Sequence, residues 1–159
     1  MSSAAIGRRP ADAAAFVASV QDATNAYLTE VIYDMYAADA RAVMITDGAR
    51  EESVGVEAIH ATWARACAAF KARRFRLDKQ LVAATEDTIV NEWCGGPHGR
   101  RDGCGLEVWR FDPDAKVIDL RAYNFLKVRS ARHPLQVVQL LLGSPGMTLA
   151  AGRAGLRRR

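Results

Sequence analysis

The stretch "GCGLEVWRFDPDAKVIDLRAYNFLKV", residues 103–128, decides how the rest of the chain is read. Two runs of alternating polar and apolar residues flank Asp112-Pro113-Asp114-Ala115. Alternation at period two is a strand signal, and Asp-Pro-Asp is turn chemistry. The stretch therefore predicts a β-hairpin. Residues two apart on a strand share a face, so Glu107 lies with Trp109 and Phe111. A carboxylate among large aromatics must find partners or lose its charge. That makes this face a candidate pocket wall rather than a plain core.

Pairing can be laid out across the turn. If Phe111 joins Lys116, Glu107 faces Leu120 and Trp109 faces Ile118. One face then carries Trp109, Phe111, Ile118, Leu120 and Ala122, continued by Asn124, with Glu107 its one acid. Asp119, Arg121 and Tyr123 point the other way. The preceding strand, "TIVNEWC" at 88–94, pairs with Cys94 opposite Cys104, which sets Asn91 against Glu107 and Trp93 against Gly105. A slip of one residue would turn every one of these side chains over.

Outward from the hairpin, "RRFRLDKQLVAAT" at 73–85 predicts another strand, so residues 73–128 form an antiparallel meander of four strands. Upstream the period is helical. Residues 11–27 place Phe16, Val20, Ala23 and Tyr27 on one stripe, and 28–40 continue as a second helix. "RAVMIT" at 41–46 predicts a short strand ended by the Asp47-Gly48 turn, and "EESV" at 51–54 an extended piece. Gly55 opens a helix over 56–70, with Ile59, Trp63, Ala66, Cys67 and Phe70 on one face and His60 beside it, in the position of a boundary histidine. "PLQVVQLLLG" at 134–143 predicts a last helix. This order is α+β: a curved mixed or antiparallel sheet wrapped around helices. Residues 1–10 read as a flexible start, 11–143 as one domain and 144–159 as a basic tail.

The chain has 159 residues, half of them hydrophobic, which suits a single domain with a sizeable core. Its net charge of +4 sits at the two ends, on Arg8, Arg9, Arg153, Arg157, Arg158 and Arg159. The body therefore lacks the basic groove of a nucleic-acid binder. No apolar run is long enough to span a membrane, and the first twenty residues lack a secretory core, so the expected location is the cytoplasm. The odd cysteine count, Cys67, Cys94 and Cys104, predicts free thiols. Cys94 and Cys104 flank a loop holding His98, but at a spacing that matches no common metal-ligand pair. No phosphate-binding Gly-rich loop is present either, so no cofactor is expected.

"VGVEAI" entering a helix and "EVWRFDPDAKVIDLRAY" closing a sheet resemble the nuclear transport factor 2-like superfamily, over roughly residues 11–128. Its enzyme branches include ketosteroid isomerase, SnoaL-like polyketide cyclases, scytalone dehydratase and limonene epoxide hydrolase. The resemblance implies a cone-shaped pocket (the cystatin-like α+β barrel), catalytic groups on the strands, and a homodimer formed through the outer sheet face. Glu107 aligns with the isomerase's protonated oxyanion-hole aspartate. The chain departs from the isomerase at Val20 and Met44, where a tyrosine and the general base would stand. It departs from the epoxide hydrolase at Trp93, Gly95 and Ala122.

The resulting expectation is a cofactor-free acid–base enzyme acting on a small, apolar, oxygenated molecule by isomerisation, cyclisation, dehydration or epoxide hydrolysis. Glu107, raised in pKa, is the candidate acid, and Asp47 the candidate base, against an ordinary turn role for Asp-Gly. Asn91, Trp93, Trp109, Leu120, Ala122, Asn124 and Tyr27 are the candidate substrate contacts. The competing expectation is a non-catalytic binder or dimeric scaffold of the same fold.

Overall fold

The computed structural model describes residues 7–128, together with Val138, Leu142, Gly143 and Gly146. The chain divides into two units, Met1–Lys127 and Val128–Arg159, and the sheet and helices below belong to the first. Most of the helix expected at 134–143 and nearly all of the basic tail lie outside the described residues.

Three α-helices and six strands follow in order among residues 7–128: α1 (Ala13–Ala26), α2 (Val31–Met35), β1 (Tyr36–Thr46), β2 (Ala49–Val54), α3 (Val56–Ala72), β3 (Arg76–Ala84), β4 (Thr88–Gly96), β5 (Gly103–Phe111) and β6 (Val117–Phe125). The strands form one sheet in the order β2-β1-β6-β5-β4-β3. All pairs are antiparallel except β1 with β6. The expected meander of β3 to β6 is therefore present, with the β1–β2 hairpin added beside β6. The fold is α+β, as expected.

The helices start and stop where side-chain chemistry dictates. Asp12 caps α1 by accepting from the Ala15 amide at 2.9 Å. Tyr27 ends it in the left-handed region, φ 58°. Gly55, at φ 85°, makes the sharp entry into α3 that a side chain would resist. The second helix is much shorter than expected. Only Val31–Met35 is helical, and Tyr36–Ala40 are strand. The alanine-rich "YAADA" favours helix locally, but pairing of Tyr36 with Val117 and full burial of Ala40 override that preference.

The β4–β5 register is the expected one: Cys94 opposes Cys104, and Asn91 opposes Glu107. The β5–β6 register differs by two residues, with Glu107 opposite Ala122 and Trp109 opposite Leu120. The cause is the turn. Asp112 Oδ1 accepts from the Asp114 and Lys116 amides, the Asp112 amide donates to the Lys116 carbonyl at 2.9 Å, and Ala115 sits at φ 60°. The turn is one residue longer than assumed, and a bulge follows. An even displacement leaves each side chain on its face. Only near the bulge does a core position change hands: Val117 is fully buried there, and Ile118 is not.

One end of the sheet is filled. Phe16 packs edge-on against Trp109 and Phe111, and Ile89, Val117 and Tyr36 close the space. The other end stays open. There α3 stands off the sheet, and a cavity of about 440 Å³ runs between them.

Candidate functional site

Glu107 projects from β5 into this cavity. Its Oε2 accepts from the Lys79 ammonium and, at 2.9 Å, from the Asn91 amide. The pair is secluded: the Lys79 side chain is 2% exposed and that of Glu107 13%. Lys79 also sits 5.9 Å over the Trp109 ring. Glu107 Oε1 has no hydrogen-bond partner among the described residues, and it is not sealed from the cavity.

Each member of the cluster is aimed by another. An indole N–H can only donate, so the 2.7 Å bond from Trp109 Nε1 fixes the Asn91 amide with its oxygen toward Trp109. The Asn91 NH2 group then has to face Glu107. Lys79 is held from the helix side. It lies on β3, an edge strand of the sheet, which α1 covers with two amides. Asn25 bonds both backbone groups of Leu77, at 2.8 and 3.0 Å, and Gln21 accepts from the Lys79 amide at 2.6 Å.

A second donor faces the same space. Tyr36, buried at the start of β1, lines the cavity, and its hydroxyl has no partner among the described residues. Burial first, and the Glu107 charge second, push its phenol far above the ordinary value. Tyr36 thus stays protonated, a neutral hydrogen-bond donor on the cavity that Glu107 faces.

Toward the mouth, the same indole–amide device recurs. Trp93 Nε1 donates to Asn124 Oδ1 at 3.2 Å, and Asn124 Nδ2 donates to Thr46 Oγ1 at 3.3 Å. Trp93 lies across Gly105, where an added Cβ would come 2.3 Å from its Nε1. The mouth also carries the buried hydroxyl pair Ser53 and Thr62, 2.9 Å apart, and the Arg65–Glu51 ion pair.

Of the expected site residues, Glu107, Trp93, Trp109, Leu120, Ala122 and Asn124 line the cavity together. Val20 and Met44 line it too, so the positions where the isomerase's polar groups would stand are apolar wall here. Glu107, expected as the acid, has the Lys79 ammonium and the Asn91 NH2 on one oxygen. Three expectations are corrected. Asp47 is no base in the cavity. It is exposed at φ 49° in its turn, and its Oδ1 accepts from the Leu126 amide at 3.2 Å. Tyr27 faces away, its hydroxyl on the Phe75 carbonyl at 3.0 Å and the Arg76 guanidinium over its ring. Asn91 is buried behind Glu107 rather than on the cavity surface, which makes it a positioning residue. His60 stacks on Tyr33 and meets Glu30 at 3.2 Å, outside the cavity.

Lys79 and Tyr36 were not among the expected site residues. Lys79 had a signal: it alternates in phase with Phe75, Leu77 and Leu81, a charge on an apolar strand face. Tyr36 had none, because its segment reads as helix.

No family model matches the chain, and no curated relative does. Solved structures do match. A steroid delta-isomerase from Pseudomonas aeruginosa is 20% identical, with a TM-score of 0.55, over 92% of this chain and 97% of that one. A SnoaL-like protein of unknown function from Burkholderia thailandensis is 23% identical, TM-score 0.54, over 69% of this chain and 95% of that one. A protein of unknown function with a cystatin-like fold from Methylobium petroleophilum is 16% identical, TM-score 0.58, over 80% and 84%. The architecture is thus the cystatin-like α+β fold. Within it, the chain has the fold of the SnoaL-like and nuclear transport factor 2-like proteins.

Proposed function

We propose that the protein is a cofactor-free enzyme that moves a proton next to the carbonyl of a small, largely apolar molecule. One observation carries this reading: a secluded carboxylate and a phenol face the same apolar cavity, and neither Glu107 Oε1 nor the Tyr36 hydroxyl has a partner among the described residues. A pocket of this size with few polar groups suits a small oxygenated ligand. Glu107 Oε1 takes a proton from the carbon beside the carbonyl. The electron pair moves into the enolate, whose oxygen accepts a hydrogen bond from Tyr36. Glu107 returns the proton at the same carbon or a conjugated one. Lys79 and Asn91 hold the carboxylate and act as positioning residues. A neutral donor aimed at the developing oxyanion is worth most in a cavity that excludes bulk water. Enolisation of this kind is the step that isomerisation, aldol-type cyclisation and β-elimination share.

Deuterium uptake at C1 of 2-tetralone in D2O, followed by NMR, tests it. Exchange should exceed the buffer rate, fall about 100-fold or more in Glu107→Gln and about 10- to 100-fold in Tyr36→Phe. The ion pair itself favours a second reading, a non-catalytic binder, since Lys79 and Asn91 satisfy one carboxylate oxygen fully. Saturable binding of 2-tetralone with exchange no faster than buffer would establish that reading instead. The exposed apolar residues Leu106, Tyr123 and Phe125 on the outer sheet face suit a homodimer, which light scattering on the purified chain would reveal.

A further inference from the structure

The cavity has a second polar pole that proton transfer does not use. Trp93, Asn124 and Thr46 all line it, and their hydrogen bonds run in one direction. Trp93 can only donate, so Asn124 gives up its oxygen to the indole and must present its NH2. One of those protons goes to Thr46 Oγ1. Thr46, accepting there, is left with its own hydroxyl proton to give. The other Asn124 proton has no acceptor among the described residues. The pole therefore offers donors, and its polar complement is an acceptor oxygen.

Its backbone position relative to Glu107 follows from the register. Glu107 opposes Ala122, and Asn124 lies two residues further along β6 on the same face. Such diagonal neighbours are about 7–8 Å apart at the backbone. The wall around them is apolar: Ala122 faces Glu107, Met44 lies beside Ala122 on β1, and Leu120 lies beyond it, opposite Trp109.

We propose that the cavity selects ligands with two oxygens: a carbonyl at Glu107 and Tyr36, and a second, acceptor oxygen held by Thr46 and Asn124 across an apolar body. The class is a rigid, mostly hydrocarbon ketone with a distal ether, ester or keto oxygen. This deepens the proton-transfer reading and rests on it for the carbonyl end. Such an oxygen satisfies donors that a hydrocarbon would leave unpaired, which is how a polar subsite discriminates.

The test compares 6-methoxy-2-tetralone, which carries an oxygen at each end of a rigid body, with 6-ethyl-2-tetralone, which keeps the shape but lacks the distal acceptor. Dissociation constants come from quenching of tryptophan fluorescence, since Trp93 and Trp109 line the cavity. The methoxy compound should bind about tenfold more tightly. Thr46→Val, which is nearly isosteric, should bring the ratio close to one, and so should Asn124→Leu. Equal binding of the two probes to the wild type would overturn the proposal, as would binding of neither at millimolar concentration. So would a ratio that survives in both variants. Glu107→Gln separates the two readings: a ratio that persists while deuterium exchange is unaffected removes the base and leaves the distal pole standing.

Discussion

At the residue scale, the site depends on two glycine- and lysine-based substitutions of the ordinary strand pattern. Gly105 opposes Trp93, and the indole occupies the space a side chain would take. In Gly105→Ala the new methyl would fall 2.3 Å from Trp93 Nε1 and 2.5 Å from the Tyr123 carbonyl, so the indole must move and release Asn124. The expected cost is about 1–3 kcal/mol in urea unfolding, with a shifted tryptophan emission maximum. Lys79 is the counterpart in charge. Removing the cation alone, in Lys79→Met, strands a secluded carboxylate and should cost about 3 kcal/mol. The double variant Lys79→Met, Glu107→Leu should recover most of that loss, because two apolar groups need no partners. A double variant as unstable as the single one would mean that the pair stabilises the fold rather than the site.

At the element scale, the site depends on how α1 treats an exposed sheet edge. β3 would otherwise present a row of unpaired backbone groups. Asn25 and Gln21 pair three of them and thereby set the depth at which Lys79 enters the cavity. Asn25→Ala should leave the Leu77 N–H and C=O without partners and cost about 1–3 kcal/mol. Amide hydrogen exchange is the direct readout: Leu77 should lose protection while Ile89, inside the β4–β5 pair, keeps it. The brevity of α2 belongs to this scale as well. It delivers Tyr36 into the sheet, where its hydroxyl reaches the cavity that Glu107 faces.

At the scale of the whole molecule, stability at high pH reports the burial of Cys67 on α3. Burial pushes the Cys67 thiol from its ordinary value near 9 up to about 11. Between those values the unfolded chain has released a proton that the native state keeps, so stability falls as pH rises from 9 to 11. Cys67→Ala should flatten that part of the profile, as measured by urea midpoints across the range. Much of this architecture was legible in the sequence, because period-two alternation and turn chemistry are local. They determined the meander, the β4–β5 register, and the face that carries Trp93, Glu107, Trp109, Leu120, Ala122 and Asn124. The face survived even an error in the β5–β6 register, since the pleat repeats every two residues. What local patterns do not encode is pairing between distant segments. Only the tertiary structure brought Lys79 from β3 onto Glu107, turned the helix-favouring "YAADA" into strand, placed Tyr36 at the cavity and left Asp47 in its turn. The partner of Glu107 was decided there too: a buried carboxylate needs a donor, and the one the fold delivers lies 28 residues away in the chain.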